Sequence, residues 1–333
     1  MIGVIFTGGT ISMRVDPATG AAVPALGARE ILAQVPQIDS VAEIEAEDFG
    51  RLPGPHVTPE QMWRLARRAA AWLERPDVDG LVVTHGTDTI EETAYFLDLV
   101  LTSPKPAVLV GAMRTMSDPS WDGPANLLNA IRVAAAGASA HRGVLVAMNE
   151  AILAAAEAQK IHTESAAAFA SPEFGPLGVI DAGCVEYRRV AGLRPAWRDP
   201  NAEAGLRVGR VEPRVDLVAA VTGADDRHVR CSLETGARGV VIQALGRGNV
   251  PPAMRPGIAA AIQRSVPVVI VSRSLMGAVR DRYGYEGGGR DLKTLGALFV
   301  PHLSGPKARI KLMVLLGANF DGERLRANLE GER

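Results

Sequence analysis

The chain has 333 residues, with 36 Lys or Arg against 37 Asp or Glu and a formal net charge of −1. That length exceeds one small core and favours two domains. The balanced charge excludes a general attraction to nucleic acid or to an anionic membrane. The first predicted strand, Ile2 to Phe6, runs straight into Thr7-Gly8-Gly9-Thr10. Further on, Thr58-Pro59-Glu60 opens a helix to Glu74, with a capping hydroxyl and a proline in the first turn. Gly80 to Thr84, Ala107 to Val110 and Gly143 to Met148 are short apolar runs that suit strands buried on both faces. Helical patterns over Thr89 to Leu101 and Gly123 to Ala136 alternate with them. This alternation predicts an α/β fold with a doubly wound, mostly parallel sheet.

The pattern dissolves over residues 189–213, a Pro- and Arg-containing stretch read as a linker. The alternation resumes with Leu217 to Val221, Gly239 to Ala244, Val268 to Ser272 and a helix from Gly305 to Leu316. The expected organisation is therefore a catalytic α/β domain over 1–188, the linker, and a smaller α/β domain over 214–333. Arg67-Arg68 and Arg188-Arg189 read as solvated helix or linker faces. Cys184 and Cys231 are the only cysteines, too few for a disulfide framework and in no metal-ligand spacing. With no signal-peptide pattern and no apolar run of membrane-spanning length, a cytoplasmic protein is expected.

Functional residues of open parallel sheets collect beyond the carboxyl ends of the strands. Two segments fit: Thr7-Gly8-Gly9-Thr10, and Thr84-His85-Gly86-Thr87-Asp88-Thr89 at a helix N-terminus. Neither has the lysine of GxxxxGK[ST] nor the spacing of GxGxxG, so a nucleotide site is poorly supported. The bland alternatives are a strand-to-loop turn for the first and a helix cap for the second, with Thr87 or Asp88 as the cap and Glu91 and Glu92 favouring the dipole. Lys160 becomes interesting only with a partner. A lysine reaching both a threonine hydroxyl and an aspartate forms a Thr–Lys–Asp proton relay.

TGGTIS at 7–12, THGTDTIEETAYFLDL at 84–99, VGAMR at 110–114, DGPANLLNA at 122–130 and GVLVAMNEAI at 143–152 together resemble the bacterial-type L-asparaginase family. QKIHTES at 159–165 and SPEFGPLG at 171–178 continue the match, and a weaker tail runs through GRGNVP and GPKARIKLMVLL. The resemblance implies hydrolysis of a side-chain amide without a metal or organic cofactor. Thr10 matches the family's first catalytic threonine, the expected nucleophile; Thr87, Asp88 and Lys160 match its second threonine, aspartate and lysine. The Thr87 backbone with a bound water is the implied oxyanion stabiliser. Asp88 is also the implied partner of the substrate's α-amino group, and the Ala112 carbonyl that of the leaving amide. Gly9, Gly86, Gly54, Pro55 and His56 are expected to line the substrate site. The resemblance further implies a homodimer or homotetramer whose sites are completed by a neighbouring subunit, with Asn249 and Glu286 as the contributed residues.

Two departures stand out. The family carries a tyrosine in the loop after TGGT, but SMRVDPATGAAVPALG contains none, and the matching position by count is near Val23. Where relatives show a Gly-Ser-Gln stretch for the substrate carboxylate, this chain has Leu52-Pro53-Gly54-Pro55-His56. Asparagine, glutamine or another amide thus remain open as substrate, as does a weakly active amino-acid-binding relative. An amidotransferase subunit ranks low, because those relatives carry an extra N-terminal domain. Tyr187 and Tyr283 are the phenols considered as substitutes.

Overall fold

The computed structural model describes residues 1–191, 197 and 199–331. The chain divides into two compact units, Met1–Arg198 with Ala202–Arg207, and Asp199–Asn201 with Val208–Arg333. Part of the expected linker, at 192–196 and 198, lies outside the described residues.

In the first unit eight strands form one sheet. They are β1 (Ile2–Gly8), β2 (Ile44–Leu52), β3 (Gly80–Thr84), β4 (Ala107–Val110), β5 (Val144–Met148), β6 (Ala151–Ala154), β7 (Gly178–Asp181) and β8 (Cys184–Tyr187). Their spatial order is β8-β7-β6-β5-β4-β3-β1-β2. The five strands from β5 to β2 run parallel, and β6, β7 and β8 extend the sheet antiparallel. Helices α1 (Pro59–Glu74), α2 (Ile90–Val100) and α3 (Gly123–Ala135) make the crossovers. The second unit holds a four-stranded parallel sheet of β9 (Val215–Ala219), β10 (Gly239–Ala244), β11 (Val268–Ser272) and β12 (Leu298–Phe299). The α/β expectation holds in both units.

Local chemistry explains the elements that position the site. Every residue of β1 and β3 is buried, as strands covered on both faces require. The start of α1 is a reciprocal capping box. Thr58 N–H donates to Gln61 Oε1 at 2.7 Å, and Gln61 N–H donates to Thr58 Oγ1 at 3.3 Å. Its buried Met62, Leu65, Ala66, Ala69 and Leu73 recur at helical spacing. The edge strand β2 escaped the sequence reading. Its charged residues are satisfied on the outside, where Arg68 grips Glu47 at 2.9 and 2.7 Å and Arg75 grips Glu45.

Strand order fixes where a ligand can sit. From β1 the chain crosses to β2 on one side, then returns past β1 to β3 on the other. The loops after β1 and β3 therefore diverge and leave a crevice at their carboxyl ends, the topological switch point of such sheets.

Candidate active site

Both sequence segments singled out for chemistry end at this switch point. Thr7 does not face the crevice chemistry; it clips the two strands together. Its Oγ1 donates to the Thr84 carbonyl at 2.6 Å, and its N–H donates to Thr84 Oγ1 at 3.3 Å. Beyond it, Gly9 adopts φ 83° and ψ −177°, a region closed to residues with a side chain. A Cβ there would lie 2.5 Å from both N and Cα of Gly86. A Cβ on Gly86 would in turn lie 2.6 Å from N of Gly54. The glycines thus serve backbone-to-backbone contact among the ends of β1, β2 and β3. Thr10 and Thr87 each stand one residue past the Gly9–Gly86 contact. Among the described residues, the Thr10 hydroxyl has no hydrogen-bond partner.

Lys160 lies in a two-stranded ribbon, Gln159–Lys160 with Phe169–Ala170, and its N–H donates to Glu91 Oε2 at 2.8 Å. From there its ammonium reaches Thr87 Oγ1 at 3.0 Å and Asp88 Oδ1 at 2.7 Å. The Lys160 side chain is 18% exposed and that of Asp88 59%, so one end of the relay is sheltered and the other faces solvent. The cap reading of Thr87 or Asp88 is overturned. The N-cap of α2 is Thr89, without a side-chain cap bond, and its Oγ1 instead donates to the Gly54 carbonyl at 2.8 Å. Thr87 and Asp88 are drawn away by the lysine, a stronger charge-assisted partner than a helix N–H.

His85, not singled out beforehand, is fully enclosed between these groups. Its Nδ1 lies 2.9 Å from the Gly86 carbonyl, which can only accept, so Nδ1 is assigned the hydrogen. Nε2 has no partner among the described residues. Burial holds the imidazole pKa down at about 4, so the ring is neutral near neutrality. This bond fixes the peptide between Gly86 and Thr87. In a trans peptide the N–H points opposite to the C=O, so the Thr87 N–H is turned away from His85. Among the described residues that N–H has no acceptor, which leaves it available to a developing oxyanion.

The remaining candidates divide. Gly54 begins a 3₁₀ turn, Gly54–His56, whose His56 N–H is spent on the Pro53 carbonyl at 2.9 Å. Pro55 has no N–H to give, and the His56 side chain is exposed. Of that turn only the Gly54 amide remains as a backbone donor. Ala112 is buried in the loop after β4. Asn249 and Glu286 belong to the second unit. Asn249 Oδ1 accepts from Gly289 N–H at 3.1 Å, and Val250 N–H donates to the Gly287 carbonyl at 2.8 Å. The GRGN turn and the segment bearing exposed Glu286 are therefore joined.

The loop after Thr10 forms a hairpin of Met13–Val15 and Ala22–Pro24, with Val23 opposite Arg14. Tyr187 cannot serve it. Its hydroxyl is 2.7 Å from Ser139 Oγ, on the outermost strand β8. Six strand spacings separate β8 from β1, roughly 29 Å. Tyr95 is buried within α2. Arg189, expected on a solvated face, instead binds Glu157 and the Gly175 carbonyl.

A cavity of about 880 Å³ lined by Arg29, Leu32, Ile38 and Glu43 lies beside β2 and contains none of the candidate residues. Among the described residues, no group of three or more His, Cys, Asp or Glu is arranged to hold a metal ion, and no helix is long and apolar enough to cross a membrane.

Both units match known proteins in sequence and fold. The profile of the asparaginase N-terminal domain matches residues 1–191, and that of the glutaminase/asparaginase C-terminal domain matches 214–329. The chain belongs to the asparaginase family. It is 38% identical over 326 residues to a probable L-asparaginase of Deinococcus radiodurans, covering 98% of this chain and 95% of that one. It is 33% identical to L-asparaginase 2 of Escherichia coli, covering 97% and 91%. The crystal structure of a probable cytoplasmic L-asparaginase from Campylobacter jejuni superposes with a TM-score of 0.86 at 30% identity, covering 98% of each chain. Family members are amidohydrolases, and the fold just described is theirs.

Proposed function

We propose that this protein hydrolyses the side-chain amide of L-asparagine to L-aspartate and ammonia. One observation carries the reading: Lys160 Nζ bridges Thr87 Oγ1 and Asp88 Oδ1 at the strand ends that also present Thr10. In this reading Thr10 Oγ1 attacks the amide carbon, and the oxyanion is met by the Thr87 N–H. Lys160, oriented by Asp88, passes protons to and from the reacting groups through the Thr87 hydroxyl. The C–N bond breaks as nitrogen gains the proton that the attacking hydroxyl gave up, and ammonia leaves. Water then cleaves the threonyl ester, releasing aspartate and restoring the hydroxyl. The Asp88 carboxylate, largely exposed, also suits the substrate's α-ammonium, while Gly9, Gly54, Pro55, His56 and Gly86 border the pocket. The reading calls for no cofactor.

A homodimer or homotetramer is part of the proposal, with Asn249 and Glu286 of a second copy closing the site. The joined turn that carries both residues supports it. A cytoplasmic location is also proposed, supported by two exposed, unpaired cysteines. Mixing inactive Thr10→Ala with inactive Glu286→Ala protein tests the shared site, since recovered activity requires exchange between copies.

The decisive experiment measures ammonia release from asparagine, glutamine and other amides by the wild type, Thr10→Ala and Thr87→Ala. No release from any amide ends the enzyme reading, and unchanged release by both variants ends the site assignment. One observation favours a slow or mainly binding form of the same site: the hairpin after Thr10 carries Val23, opposite Arg14, near the position where the family resemblance implies a phenol. Stoichiometric amino-acid binding without ammonia release would identify that form.

A further inference from the structure

The segment DGPANLLNA has no role in the chemistry above, yet its first and fifth residues hold the loop that carries Ala112. Asp122 is the N-cap of α3 but makes no side-chain cap bond to its own helix. Its carboxylate instead accepts from Met113 N–H at 3.1 and 3.0 Å and from Arg114 N–H at 2.9 Å. One turn later, Asn126 is 3% exposed and spends its whole amide. Its Nδ2 donates to the Gly111 carbonyl at 3.1 Å and to Asp122 Oδ2 at 3.0 Å, while Oδ1 accepts from Asn149 N–H at 3.0 Å. Two acceptors on one side and a donor on the other fix which atom is nitrogen.

The two peptides flanking Ala112 are thereby both pinned, one through the Gly111 carbonyl and the other through the Met113 N–H. Among the described residues no peptide is cis. The Ala112 carbonyl must therefore point away from Asp122, opposite to the Met113 N–H of the same peptide. Among the described residues it accepts no hydrogen bond, although Ala112 itself is buried. A buried carbonyl left open while its neighbours are clamped is prepared for a donor that arrives from outside.

We propose that Asp122 and Asn126 are positioning residues that aim and polarise the Ala112 carbonyl toward the leaving nitrogen of the amide. This rests on the amidohydrolase reading above. The anionic carboxylate on the Met113 N–H draws electron density through the peptide onto Ala112 O, by the same cooperativity that strengthens chains of hydrogen bonds. As the C–N bond breaks, the leaving nitrogen gains a proton and positive character, and its N–H groups become better donors. A more negative Ala112 oxygen then stabilises the transition state more than the bound substrate, so its effect appears in kcat.

The test compares the amide with the β-methyl ester of aspartate, whose leaving oxygen has no hydrogen to donate before it is protonated. For Asp122→Asn, which keeps the shape and removes the charge, the amide-to-ester ratio of kcat should fall about tenfold, with the KM for asparagine within roughly threefold. Asn126→Ala should lower the same ratio. Because the ratio is taken within each variant, a partly misfolded sample cancels. An unchanged ratio in both variants, or failure of both to yield folded protein, would overturn the proposal and make the pair purely structural. Wild-type cleavage of both substrates with an unchanged variant ratio leaves the amidohydrolase reading standing. Wild-type cleavage of neither removes that reading, and the proposal with it.

Discussion

Lys160 lies 73 residues from Thr87 in the chain and 3.0 Å from it in space, Nζ against Oγ1. A ribbon and a backbone bond to Glu91 hold the lysine in that position, so its reach does not depend on a flexible loop alone. Lys160→Met should lower kcat for asparagine by about 100- to 10,000-fold with little change in thermal stability. Steady-state kinetics beside a melting curve check this, and a variant retaining more than about half of wild-type kcat would remove the lysine from the relay.

Gly9→Ala places a methyl group 2.5 Å from the Gly86 backbone in a conformation reserved for glycine. Neither wall is a side chain that can swing aside. The expected loss is at least about 2 kcal/mol, from strain and displacement of the strand ends. Denaturant midpoints would show it, and activity should fall with them because Thr10 is the next residue.

His85 gives the site a signature below neutrality. Its folded pKa, about 4, is below the ordinary value near 6.5, because burial disfavours the charged ring. The unfolded chain therefore binds the extra proton first. Stability associated with His85 is complete above about pH 6.5, declines as pH falls toward 4, and is flat below that, a total of roughly 3 kcal/mol. Melting temperatures of the wild type and His85→Asn between pH 7 and 4.5 test this. The wild type should lose more, and parallel curves would remove His85 as the source.

The two threonines of TGGT should fail in different ways. Thr7→Val breaks a 2.6 Å bond to the buried Thr84 carbonyl, costing about 1–3 kcal/mol through the unsatisfied acceptor. Its kcat should stay within roughly threefold of wild type. Thr10→Ala should leave the melting temperature nearly unchanged and abolish ammonia release. Equal catalytic loss in both variants would contradict this division of roles.

The sequence made the buried strands plain, because β3 and β4 are short, apolar and bounded by turn residues on both sides. It made α1 plain through Thr58, Pro59 and Glu60. It hid β2, whose IEAEDFGRL carries charge that suits an edge exposed on one side. It also hid β6, β7 and β8, short strands whose antiparallel pairing depends on contacts with one another. Thr10, Thr87, Asp88 and Lys160 were legible as motif positions, but the Lys160 bridge is a contact across the fold that no local pattern encodes. Asp122 and Asn126 were in view within a quoted motif. An aspartate before Gly-Pro reads as an ordinary helix cap, and only the fold reveals that its carboxylate faces a different loop. His85 left no periodic signal, since its role depends on the direction of one peptide.

The contact of Gly9, Gly86 and Gly54 sets a limit on how this pocket can be remodelled. Gly9 and Gly86 accept no side chain, so neither selection nor laboratory design can tune specificity through them. Variation must enter at their outward neighbours, Pro55, His56 and the hairpin bearing Val23, which are exposed or partly so. A library restricted to those positions would change which amide is chosen while leaving the machinery that cleaves it in register.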